Sequence, residues 1–142
     1  MSGDGLEGEI DTHPRSIYVI EIDPKWYGDL GPTIPAGVTC LYVGQSKSPP
    51  KKRFKQHRRG HTYRKKGGES AARVFRNIAD AKGARGAQRT LVEGEDAWLR
   101  NDLMRGIEPV LGEPAALELE LATAERLRAA GYHVFGPKSP SQ

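Results

Sequence analysis

The sequence has a single cysteine, Cys40, so no internal disulfide can staple the fold and stability must come from a packed core. Cys40 lies beside an apolar stretch, where a thiol is ordinarily an inert core residue. No stretch approaches the ~18 consecutive apolar residues of a membrane span, and the first residues lack the basic-then-apolar layout of a signal peptide. These two absences place the expected site of action in a reducing cytoplasm, with no membrane partner. No internal repeat is evident, and 142 residues suffice for one domain around one modest core. A further scarcity is local. From Lys51 to Lys66 there is no Asp or Glu at all.

That window holds nine of the chain's 22 Lys and Arg, so the remainder carries 13 basic against 18 acidic residues. The modest net charge of +4 thus hides a concentrated basic patch, the footprint of a nucleic-acid partner. Lys51, Lys52, Lys55, Arg58, Arg59, Arg64, Lys65 and Lys66 are its candidate phosphate contacts. The bland reading of such a run is a solvated helix face.

Hydrophobic patterning gives an α/β (α+β) domain over 15–136, between a flexible tail at 1–14 and a C-terminal tail at 137–142. Ser16–Ile22 is β-branched and aromatic and reads as a central strand. Asp23 and Pro24 stop it, and the Gly- and Pro-rich segment 23–37 is more than a hairpin needs. Val38–Val43 reads as the second strand, antiparallel to the first, closed by Gly44. Pro49 or Pro50 suits the opening turn of a helix running from Lys51 to Arg59, with Phe54 facing inward and Gly60 ending it. The spacing predicts a basic loop over 61–68 and a helix over 69–82, with Ala72, Phe75 and Ala79 sharing a face widened by Val74 and Ile78. A short third strand is expected over 88–93 and a helix over 95–107, with Trp98, Leu99, Leu103 and Ile107 inward. The strongest helix spans 113–130, and a short final strand covers 132–135.

Candidate chemistry gathers around the first two strands. Tyr18 and Tyr42 can present their hydroxyls at one end of a sheet, although a buried tyrosine often does no more than pack its ring. Arg53 has the planar fork suited to a phosphate. His57, one helical turn on, reads as a general base, a phosphate donor or a surface histidine. In the long helix, Leu117, Leu121, Ala124 and Leu127 define an inward stripe that includes Glu120 and excludes Glu118 and Glu125. A carboxylate on an apolar face needs a partner, either a metal ion or an arginine.

These residues resemble the GIY-YIG nuclease family. Its two strand motifs correspond to Ser16-Ile17-Tyr18 and Tyr42-Val43-Gly44, followed by an arginine at a helix start (Arg53) and a histidine one turn later (His57). A glutamate four residues after an alanine in a long helix matches Ala116 and Glu120. The resemblance implies a small central three-stranded antiparallel sheet flanked by helices, and hydrolysis of DNA phosphodiesters with one Mg²⁺ or Mn²⁺. It further implies that Tyr18 and Tyr42 orient or deprotonate the attacking water, shared with His57, that Arg53 steadies phosphate charge and that Glu120 holds the metal. Glu118 is the rival ligand. The chain departs from the pattern in having Ser16 for the first motif's glycine and Gln45 where repair-type members have lysine. The 24-residue step from Tyr18 to Tyr42 is also long, making 23–37 an insertion and a candidate DNA-contacting flap.

The expected function is a metal-dependent endodeoxyribonuclease. The alternatives are a non-catalytic nucleic-acid-binding module using the same basic patch, and a regulatory protein meeting an acidic partner surface. One metal site per chain implies a homodimer or two successive nicks where both strands are cut.

Overall fold

The computed structural model describes residues 13–60, 64–65, 68–69, 73–83 and 85–138, with backbone alone for 64–65 and 68–69. The strands are β1 (Pro14–Ile22), β2 (Cys40–Ser46), β3 (Arg64–Lys65), β4 (Gly68–Glu69), β5 (Ala97–Leu99), β6 (Val110–Leu111) and β7 (His133–Phe135). The helices are α1 (Pro50–Arg58), α2 (Arg73–Lys82), α3 (Asn101–Met104) and α4 (Glu113–Ala129), with 3₁₀ turns at Pro24–Asp29 and Gly86–Gln88.

The architecture is mixed α and β, built on a five-stranded sheet in the order β5–β1–β2–β7, with β6 pairing the start of β1. β1 and β2 run antiparallel from Ser16 opposite Ser46 to Ile22 opposite Cys40. β5 is antiparallel to β1, so β5, β1 and β2 form an antiparallel triple. β7 extends the sheet beyond the expected three strands, lying parallel to β2. β3 and β4 form a separate two-stranded pair over the expected basic loop and Glu69, the expected first residue of the next helix, which instead is described from Arg73.

Alternation sorts β1 and β2 onto two cores, which is why both strands read as nearly continuous apolar runs. Tyr18, Ile20, Ile22, Cys40 and Tyr42 pack with Phe54 of α1 and Val74, Phe75, Ile78 and Ala79 of α2. Ile17, Val19, Leu41 and Val43 pack with Ala124 and Leu127 of α4 and Val134 of β7. The α2 stripe of Val74, Phe75, Ile78 and Ala79 is as its spacing predicts, while Ala72 lies outside the described residues. Each large side chain so buried contributes about 1.5–3 kcal/mol.

The stretch from 88 to 107 departs from the sequence reading. Residues 88–93 form no strand, and the third central strand comes from Ala97–Leu99, inside the expected helix. Only Asn101–Met104 of that segment is helical. Gly94 and Gly106, at φ 88° and 86°, turn the chain before and after it. The physical cause is Asp96, whose carboxylate accepts from Val92 N (2.7 Å) and Trp26 Nε1 (2.8 Å) and pairs with Lys82. It pins a tight loop where helical periodicity alone would continue a helix.

The segment 23–37 is docked rather than free. Trp26 reaches Asp96, the Tyr27 hydroxyl accepts from Cys40 N at 2.9 Å, and Leu30 is buried. It joins the Ile22–Cys40 end of the β1–β2 ladder, opposite the Ser16–Ser46 end. The tails expected at 1–14 and 137–142 fall mostly outside the described residues, but Pro14 opens β1 and the Pro137 carbonyl accepts from Arg128 at 2.7 Å.

Candidate active site

Helix α1 starts against its own electrostatics. Pro49 precedes it and Pro50 occupies the first turn, where a missing N–H costs nothing. Lys51, Lys52 and Arg53 then crowd the positive end of the helix dipole, with no acidic residue in that first turn. An anion at this end relieves the repulsion. Phe54 and His57 anchor the helix, both buried. Lys51, Lys52, Lys55 and Arg59 are exposed, whereas Arg58 is half-buried and donates from Nε to Leu91 O at 2.9 Å. Side chains of Arg64 and Lys65, and all of Lys66, lie outside the described residues.

His57, one of whose readings was a surface histidine, has no exposed area at all. Its Nε2 lies 2.8 Å from the Tyr18 hydroxyl. Its ring sits 4.6 Å from the Phe75 ring and 5.2 Å, edge-on, from the Tyr42 ring. Tyr18 and Tyr42 have ring centroids 6.1 Å apart, so the two strand tyrosines do share one face and one end of the sheet.

Gly44 is what allows this. It lies directly across from Tyr18 in the ladder, and a Cβ there would come within 2.5 Å of the Tyr18 hydroxyl and 3.0 Å of Tyr42 Cε2. The requirement is space for two phenols, not an unusual backbone angle.

Arg53 is half-buried and donates to Gln56 Oε1 at 2.8 Å. Glu120 is only 8% exposed and Glu118 is exposed, so of the two rival carboxylates Glu120 is the one directed inward. The stripe around Glu120 differs from the expected one. Ala116, Thr123, Ala124 and Leu127 are buried with it, but Leu117 is 43% exposed. The buried face of the helix is thus centred on small side chains. Buried Thr123 is satisfied by donating to Leu119 O at 2.7 Å.

Tyr18, Tyr42, Arg53 and Glu120 line one cleft of about 600 Å³, together with Arg15, Gln45, Lys47, Gln56 and others. Tyr18 and Tyr42 belong to the α2 side of the sheet and α4 packs on the other, so Glu120 must reach around an edge. β7 ends at Phe135, so among the described residues no strand pairs with this edge of β2 beyond Tyr42. Gly136 then passes close to it, with room for a Cβ only 3.1 Å from Val43 O. Arg15, Lys47 and Gly136 are cleft residues that sequence patterning did not single out; only the fold brings them here.

Burial dominates the phenols. Desolvation pushes the Tyr18 hydroxyl up to about 12, although the Arg53 charge and hydrogen bonding pull it down. Tyr42 is raised well above its ordinary value, first by burial and then by Tyr18 and Glu120. Both are protonated donors at neutral pH. Cys40, pushed up to about 12 by burial, is an unreactive core thiol.

Among the described residues no three His, Cys, Asp or Glu side chains cluster as a metal cage. Of the described residues lining the cleft, Glu120 is the one carboxylate and none comes from 23–37. A lone hard oxygen in an open cleft suits Mg²⁺, which keeps most of its water and binds through one or two carboxylates plus substrate phosphate. Among the described residues, no helix is long and apolar enough to cross a membrane. No family model, curated protein or solved structure matches the chain.

Proposed function

We propose that this chain is a metal-dependent endonuclease that hydrolyses DNA phosphodiester bonds, with a GIY-YIG-like site. The observation that carries the reading is the meeting of Tyr18, Tyr42, Arg53 and Glu120 in one cleft, with His57 directly behind Tyr18. The reading is supported by the antiparallel pairing of β5, β1 and β2, with Arg53 on α1 and Glu120 on α4 lining the same cleft. The exposed cations of α1 supply sequence-independent affinity for the DNA backbone.

In this reading Glu120 would hold one Mg²⁺ or Mn²⁺, which would supply Lewis-acid charge to the phosphate. A phenol raised to about 12 is a poor base by itself. Tyr18 therefore acts as a relay, taking a proton from the attacking water while passing its own to His57 Nε2, 2.8 Å away. Tyr42 remains a donor and orients the water or a phosphate oxygen. Arg53 answers the negative charge that grows on the phosphate, in a part-desolvated cleft where such charge is strongly felt.

The test is incubation of the protein with supercoiled plasmid and branched DNA in Mg²⁺, Mn²⁺ or chelator. Cutting is expected with either metal and none with chelator. Arg53→Ala stops it, and Glu118→Ala leaves it within about twofold because that side chain is exposed. If the wild type binds DNA in a salt-dependent way but cuts no substrate under any condition, the chain is a binding module and the nuclease reading falls.

A further inference from the structure

Helix α1 divides its cations between two faces. Of the described cations from Lys51 to Arg59, Arg53 alone lines the cleft, joined there by Gln56. Lys55, Arg58 and Arg59 instead line a second groove of about 320 Å³, walled by Thr90, Leu91 and Val92. At about 100° per residue, Lys55 stands about 200° and Arg59 about 240° around the helix from Arg53. The cleft and the groove therefore flank α1 on opposite sides, separated by the helix's own width of ~10 Å.

The wall of the groove is fixed at three consecutive residues. Thr90 O accepts from Lys82 Nζ at 3.1 Å, and the Val92 amide donates to Asp96 Oδ2 at 2.7 Å. Between them, Leu91 and Arg58 bond in both directions. The Leu91 amide donates to Arg58 O at 2.7 Å, and Arg58 Nε donates to Leu91 O at 2.9 Å. These bonds hold the wall against α1 and orient the Arg58 guanidinium, 6.0 Å from the Phe54 ring. Arg58 is partly balanced by Glu93, 4.0 Å away and itself exposed. Lys55 and Arg59 are exposed, and no carboxylate lines the groove among the described residues. Val92, 40% exposed, adds an apolar surface beside them.

We infer that this groove is a second binding site for a polynucleotide backbone, with Lys55 and Arg59 contacting phosphates and Val92 packing against sugar. The inference deepens the nuclease reading and rests on it for what occupies the cleft. A ligand that meets both flanks of α1 must span about 10 Å, whereas one duplex strand advances only about 3.4 Å per phosphate. The ligand is therefore a nucleic acid several nucleotides long that crosses α1, in preference to a free nucleotide filling the cleft alone. The Lys51–Lys66 run was legible as charge; its division between two faces depends on the wall at 90–92.

The test is the salt dependence of affinity for a fluorescein-labelled duplex, in chelator so that no cutting intrudes. Losing two phosphate contacts lowers the slope of log affinity against log salt by about 1.8. That decrease is expected for Lys55→Gln/Arg59→Gln. It is not expected for Arg105→Gln/Arg126→Gln, which removes the same charge from exposed positions outside both cleft and groove. If the groove variant melts below wild type, the single substitutions decide, each expected to lower the slope by about 0.9. An unchanged slope in the groove variant, or an equal decrease in the control, overturns the inference even if the wild type cuts DNA normally. Tighter binding to phosphatidylserine vesicles than to duplex, lost only in the groove variant, assigns the groove to a membrane surface and overturns it too. The expected decrease, in a protein whose wild type cuts nothing in Mg²⁺, leaves the groove standing and removes the nuclease reading instead.

Discussion

Two buried polar clusters bracket β1, and they respond to burial in opposite ways. At Asp96, burial raises the carboxyl but is outweighed by Lys82, the Val92 amide, Trp26 and Lys25, and the net value is about 2. At Tyr18, burial wins over the help of Arg53, and the phenol is pushed up to about 12. The Asp96 carboxylate is closed over, only 3% exposed, with donors from three separate segments. The Tyr18 cluster instead opens onto a cleft lined by both an arginine and a glutamate. Compensation inside the protein makes a structural latch. Polar groups aimed at a shared opening make a place for something charged to arrive.

The contrast is broken most sharply by substitution. On the nuclease proposal, Glu120→Ala should lower cleavage at least about 100-fold with little change in melting, since removing a transition-state stabiliser typically costs that much or more. Asp96→Ala should do the reverse. It strands Lys82 and the Val92 and Trp26 donors and should destabilise the fold by about 3 kcal/mol, discounted for the half-exposed Lys25. Urea unfolding reads this as a lower midpoint with unchanged slope. If Asp96→Ala proves fully stable but inactive, the two clusters have been assigned the wrong roles.

Gly44→Ala should come next. The new Cβ meets the Tyr18 hydroxyl at 2.5 Å, so the ring must shift. A cost of about 1–3 kcal/mol is expected. The displaced Tyr18–His57 contact should also reduce cleavage; full activity would show that this contact is not needed.

The smallest effects are in pH. The folded pKa of Asp96 is depressed, so its contribution is complete above about pH 4 and lost as pH falls through about 2, roughly 2 kcal/mol in all. Tyr18 has a raised folded pKa, so its contribution is complete below about pH 10 and lost as pH rises through about 12. Asp96→Asn should flatten the acid limb of a stability profile and Tyr18→Phe the alkaline limb. Interchanged effects would contradict the assigned causes.

How much was legible follows the same division. Tyr18, Tyr42, Arg53 and His57 sit within 40 residues on the first two strands and the helix that follows, so alternation and helical spacing place each one and the β1–β2 pairing brings them to one region. Glu120 was legible because a carboxylate within an apolar helical stripe stands out, although the exposed Leu117 shows that the stripe's centre was misplaced by a fraction of a turn. The segment 88–107 was not legible. Trp98, Leu99, Leu103 and Ile107 mimic helical spacing, and the strand at Ala97–Leu99 exists only because β1 offers it an edge and Asp96 closes the loop before it.

By itself, the sequence determined the two tyrosine-bearing strands, although β2 runs through Gly44 to Ser46 instead of ending there, and it determined the basic helix start and the inward carboxylate. These depend on side-chain periodicity, proline and glycine placement and charge, all of which act over a few residues. Tertiary structure alone decided that β7 stops at Phe135, that Glu120 lines one cleft with the phenols, and that Arg15 lines it too. Those outcomes depend on which strands pair and where each ends, a matter of contacts between residues up to a hundred positions apart that no local pattern encodes.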